Sequence, residues 1–120
     1  MSQRNHRPGV IVGNYLKSYA DTTTGVGPSF VTLTSSPITD SVDVVTVFNS
    51  CAEPIWLAWA STTTASSATT TSNALLVFPG GTDGERALFI PSGSSLFIRA
   101  HTSTVTSGNF IINLFRDNNL

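Results

Sequence analysis

The chain has 120 residues and carries 6 Lys or Arg against 7 Asp or Glu, for a net charge of −1. That length fits one domain, and at 40% hydrophobic and 11% charged residues it excludes a disordered tract and gives no bulk charge that calls for nucleic acid. No apolar run approaches the ~20 residues of a membrane-crossing helix, the start MSQRNHRPG has no apolar signal core, so no signal peptide is expected, and the single Cys51 excludes an internal disulfide and the usual Cys-based zinc sites.

Ser and Thr supply 33 residues. A surface of hydroxyls and amides costs less to desolvate than one of ions, so the composition suits a chain that packs against neighbours. A surface β-domain with a Ser/Thr-rich skin has the same composition.

Residues 1–28 differ from the rest. Arg4, Arg7 and Lys17 are half of the basic residues, and no acid precedes Asp21. Val10-Ile11-Val12 is the one short apolar patch, between Pro8-Gly9 and Gly25-Val26-Gly27-Pro28. The stretch reads as an extended basic arm and loop that docks on a partner, with a first edge strand as the plainer reading.

From residue 29 the pattern is β. Phe30–Thr34, Val42–Phe48, Ile55–Ala60, Leu75–Phe78, Ala87–Ile90, Leu96–Arg99 and Phe110–Phe115 are short runs rich in β-branched or aromatic types. Pro37, Asn49-Ser50, Pro54, Pro79-Gly80-Gly81, Pro91-Ser92-Gly93 and Ser107-Gly108-Asn109 separate them. No window shows a helical stripe. The expected fold is all-β, an antiparallel β-sandwich of jelly-roll type over 29–120 with an extended N-terminal arm over 1–28. Ser61–Ser72, low in complexity and without Gly, reads as a projecting loop or hairpin.

Several strands are apolar on both faces. With a period of two, Trp56 and Trp59 point to opposite sides, as do Phe89 and its neighbours Leu88 and Ile90, and Phe115 and Leu114. A sandwich buries one face of each sheet. The other apolar set then needs cover from a loop, the arm or another subunit.

Signals for catalysis are thin. His6 lies in the arm, and no spacing sets His101 beside a nucleophile. Cys51 reads as a small buried hydrophobe, and no G-x-S-x-G elbow accompanies the 16 Ser. Asp83 and Glu85 in GGTDGE lack calcium-loop spacing and read as a glycine-rich hairpin tip. Pro79–Gly84 lacks the end of a phosphate-binding loop. No enzyme activity, cofactor or metal is expected. The two Trp residues raise a sugar platform, but facing opposite ways they cannot form one together.

The runs VVTVFNSCAEPIWLAWAS, ERALFIPSGSSLFIRA and TSGNFIINLFR carry a resemblance. A strand ends in Asn49-Ser50 and a short apolar strand, Ile55–Ala60, follows. Later a strand ends in Ile90-Pro91-Ser92-Gly93, before Leu96–Ala100 and the final Phe110–Phe115. From Val42 to Phe115 the chain resembles the small β-sandwich virion proteins of tailed bacteriophages, departing from them in the Ser61–Ser72 insert and the 28-residue N-terminal segment. The resemblance implies a non-enzymatic structural role in the virion: a capsid decoration or cement protein, a fibre base or a collar component. Expected partners are sister subunits, in a homo-oligomer such as a trimer, and the major capsid protein or other virion proteins, with no membrane or nucleic acid. Arg4, Arg7, Val10, Ile11, Val12, Tyr15 and Tyr19 are the expected anchor of the arm. Trp59, Phe89 and Phe115 are the expected subunit contacts. The alternative is a carbohydrate- or receptor-binding β-sandwich module of a fibre.

Overall fold

The computed structural model describes residues 13–22, 25–34, 36–65, 68 and 73–117. Among them eight strands follow in chain order: β1 (Gly13–Thr22), β2 (Val31–Thr32), β3 (Val42–Asn49), β4 (Ile55–Ala60), β5 (Ala74–Val77), β6 (Gly81–Ile90), β7 (Ser95–Ala100) and β8 (Asn109–Asp117). Sheet 1 has the order β1-β8-β3-β6 and sheet 2 the order β2-β7-β4-β5. Every pair is antiparallel. The pairing is concentric: β4 with β5, β3 with β6, β2 with β7, β1 with β8. An antiparallel ribbon folded at its midpoint and rolled so that alternate pairs fall in opposite sheets gives this order, which is the jelly roll.

Alternation builds the core. Val45 and Val47 of β3 and Phe110, Ile112 and Leu114 of β8 face Ile55, Leu57 and Trp59 of β4 and Leu96, Ile98 and Ala100 of β7 in one buried cluster. Each fully buried Val, Leu, Ile or Phe contributes about 1.5–3 kcal/mol. Val42 joins the same cluster three residues before Val45, because the β3–β6 register shifts between Val42 and Val44. A bulge of this kind turns the strand and restores its apolar side to the interior.

The N-terminal segment is not an arm up to residue 28. From Gly13 to Thr22 it is β1, paired with β8 from Gly13↔Asp117 to Thr22↔Asn109. Leu16 and Tyr19 pack against the core. The sheet register shifts between Tyr15 and Lys17, which breaks the alternation a sequence reading looks for.

The GGTDGE stretch is not a hairpin tip. β6 starts at Gly81 and pairs with β3 from Asn49↔Gly81 to Val42↔Ile90. β5 lies in sheet 2 and β6 in sheet 1, so Phe78–Gly80 crosses between the sheets. Position 85 is a strand position opposite Thr46. The Phe30–Thr34 strand shrinks to two residues, Val31 and Thr32. Residues 66, 67 and 69–72 of the Ser61–Ser72 stretch lie outside the described residues; the strands on either side of it, β4 and β5, are hydrogen-bonded neighbours with Ala58 opposite Ala74.

Candidate functional site

The outer face of sheet 1 is organised in rows that cross its strands. Tyr15 lies opposite Phe115, Phe115 opposite Val44, and Val44 opposite Ala87. The Tyr15 and Phe115 rings meet edge to face at 5.8 Å. Phe89, two positions beyond Ala87, is 61% exposed, and Tyr15 is 58% exposed. The next row is polar: Ser18 opposite Asn113, Asn113 opposite Thr46, and Thr46 opposite Glu85. Ser18 Oγ donates to Asn113 Oδ1, and Asn113 Nδ2 donates to Thr46 Oγ1 at 2.9 Å. A third row sets Ile111 beside Phe48, both half-buried. One polar ladder thus runs between two apolar rows.

The outer face of sheet 2 is different. Phe97 and Ala58 face each other on the side opposite the core residues Leu96, Ile98, Leu57 and Trp59, yet Phe97 is 0% exposed. That part of the face is covered within the chain. Further along, Trp56 lies opposite Arg99 and Leu76. Its indole N–H donates to His101 Nδ1 at 3.1 Å. The Arg99 guanidinium stands 5.6 Å from the Phe30 ring, within cation–π range, and its Nη1 donates to the carbonyls of Pro28 and Ala100. The half-buried Phe30, Arg99 and Trp56 and the exposed His101 form an aromatic and cationic strip.

Two loops at one end are locked by side chains. The Glu53 carboxylate accepts from the backbone N–H groups of Thr102 and Ser103 and from both their hydroxyls. The Thr102 backbone N–H, then that of Ser103, then the Thr102 hydroxyl hold its pKa down at about 2. Asn49 is 0% exposed and fully used. Its Nδ2 donates to Glu53 O and Val77 O, and its Oδ1 accepts from Cys51 N–H. Buried amides need such partners. Cys51 is buried against the turn before β8, where a Cβ on Gly108 would come within 2.6 Å of Cys51 Cα.

A cavity of about 140 Å³ opens beneath β1, lined by Leu16, Tyr19, Ile38, Val42 and Leu114, with Lys17 and Asp40 on its exposed side. It exists because β2 has two residues where β1 has ten, so the inward side chains of β1 meet a loop instead of a strand. Burial raises the Tyr19 phenol pKa. Asp40 accepts from Arg116 at 3.0 Å.

Of the residues singled out in the sequence, Arg4, Arg7, Val10, Ile11 and Val12 lie outside the described residues. Tyr15 is exposed on sheet 1, whereas Tyr19 turns inward to the cavity. Phe89 and Phe115 stand on the outer face of sheet 1, in or beside the same row. Trp59, expected on the outside, faces the other way: it is 7% exposed and belongs to the core, and Trp56 is the Trp that faces outward. Sequence reasoning missed Glu53, whose partners lie in a distant loop, and the Ser18–Asn113–Thr46 ladder, whose members align only through strand register. Comparison with protein-family models, with curated proteins and with solved structures finds no match.

Proposed function

We propose that the chain is a structural protein of a tailed-bacteriophage virion, a capsid decoration or cement protein or a similar small head or tail component. It stabilises the particle through protein–protein contacts and carries out no catalysis. The observation that carries this reading is the outer face of sheet 1. Tyr15, Phe115, Val44, Ala87 and Phe89 make an apolar band across all four strands. A band of this kind on a chain with 11% charged residues suits burial against another protein. The jelly roll recurs in viral capsid domains, and the strand-and-turn resemblance of Val42–Phe115 adds to the reading. A decoration protein acts in many copies, so modest contacts sum over the particle.

The test is the composition of purified particles of a phage that encodes the chain. The expected result is a fixed stoichiometry in the virion and lower heat resistance in particles assembled without it. Absence from washed particles overturns the reading. Deleting residues 1–12, which leaves β1 whole, should weaken attachment while the sandwich stays folded.

The second reading is a carbohydrate- or receptor-binding module of a fibre. It is favoured by the Trp56 strip, where a half-buried indole lies beside Arg99 and His101. Its test is a glycan array read together with Trp emission. Binding that is lost in Trp56→Ala supports it. An array without hits and an indole shielded from quencher overturn it.

A further inference from the structure

We propose that copies of this chain join head to tail through the two open edges of sheet 1, with β6 of one copy paired to β1 of the next. This rests on the structural-subunit reading above and names its contact. Among the described residues no strand lies beyond β1 or β6, and each of these edges is ten residues long. The edges of sheet 2 are β2, with two residues, and β5, with four. A long open edge presents unpaired backbone N–H and C=O groups and is a template for another strand.

Direction suits this pairing. Four antiparallel strands make β1 and β6 run opposite ways. Copies related by rotation about an axis along the strands therefore set β6 antiparallel to the next β1, and the sheet continues unbroken. The aromatic residues agree in level. The row Tyr15–Phe115–Val44–Ala87 ends at both edges, and Phe89 stands two positions beyond Ala87. Tyr15 and Phe89 are among the large apolar side chains left exposed. Extending the row across the seam brings Tyr15 of the next copy beside Ala87 and Phe89 and removes both aromatics from water.

Charge separates this arrangement from a two-fold one. The polar row ends at Glu85 on one edge and at Ser18, next to the exposed Lys17, on the other. Continued across the seam, it sets position 85 against Ser18 of the next copy. β6 carries Asp83 and Glu85 against Arg86, a net charge of −1, whereas β1 carries Lys17 and Asp21 and is neutral. Pairing β6 with a second β6 sets acidic strands together, and like charges placed opposite each other destabilise. A head-to-tail contact makes a ring when its rotation closes and a fibre when it does not.

The experiment uses the full chain with Tyr15→Cys and Phe89→Cys together, treated with a short bis-maleimide, beside each single variant and the unaltered chain with its buried Cys51. The expected result is a covalent ladder of dimers, trimers and larger species from the double variant alone, with solution mass showing an oligomer. Phe89→Asp should raise the concentration at which the oligomer dissociates at least tenfold. Dimers from Phe89→Cys alone, an oligomer without a ladder, or a monomer at high concentration each overturn the proposal. The same cross-link on purified particles separates it from the virion reading. The chain present without a ladder overturns the edge contact only, and a ladder in solution with the chain absent from particles overturns the virion role only.

Discussion

The Trp56 indole N–H donates to Nδ1 of His101 at 3.1 Å. The bond ties β4 to the residue after β7. His101→Ala should leave the indole N–H to water and cost about 1 kcal/mol, with a red-shifted Trp emission. His101→Gln, whose carbonyl can accept the same proton, should recover part of the stability. Urea unfolding with fluorescence detection checks both. Equal losses in the two variants would show that the hydrogen bond contributes little.

The two tryptophans separate by side of the sheet. Trp59→Ala empties a core position and should cost about 3–5 kcal/mol. Trp56→Ala, at a half-buried outer position, should cost about 1–2 kcal/mol, mostly through the lost bond to His101. Chemical denaturation of both variants measures the gap, and similar losses would contradict the assignment of sides.

Glu53 predicts an acid-sensitive loop pair. Its folded pKa is lowered from 4.5 to about 2, so the stabilisation is present above the unfolded value and is lost as pH falls from about 4.5 towards 2. Glu53→Gln should be less stable than the parent at pH 7, and the difference should shrink through that window. Thermal unfolding at pH 7, 4.5 and 3 reads it. A constant difference would mean that the four bonds to Thr102 and Ser103 do not act through the carboxylate charge.

Two glycines with positive φ should respond unequally to a methyl group. At Gly93, φ is +87° and a Cβ meets open space, so Gly93→Ala should cost about 1 kcal/mol. At Gly108, φ is +117° and the Cβ would enter the Cys51 backbone. Gly108→Ala adds overpacking to backbone strain and should cost about 3 kcal/mol or more. Cys51→Ala cannot relieve it, because the clash is with main-chain atoms. Urea titration of the three variants decides between these expectations.

Much of the fold was legible because its inner strands follow the simplest rule. Val42–Asn49, Ile55–Ala60 and Asn109–Asp117 alternate β-branched or aromatic residues between good turn formers, and the structure keeps them nearly residue for residue. β1 was read only as an edge strand set beside an arm, since the irregularity between Tyr15 and Lys17 breaks its period. β6 was half hidden, because Gly81, Asp83 and Gly84 have turn chemistry and become strand only through pairing with β3. The outward set was legible at Phe89 and Phe115 from alternation alone. It failed at Trp59, because a period of two says that the two tryptophans oppose each other but not which of them faces the core. The loop clamp at Glu53 joins segments about fifty residues apart, and no local pattern announces such a contact.

The concentric pairing also sets an order in time. Ala58 faces Ala74, Val44 faces Ala87, Val31 faces Ile98 and Tyr15 faces Phe115. Each pair closes a longer loop than the one inside it, and longer closure is slower. On this ground the chain is expected to zip from the β4–β5 hairpin outward, with β1 seated last on a β8 already in place. The strand that completes the roll is also one of the two edge strands of sheet 1. Until β1 is seated that side of sheet 1 ends at β8, so in the proposed edge contact a copy presents Tyr15 to its neighbour only once its own roll is complete.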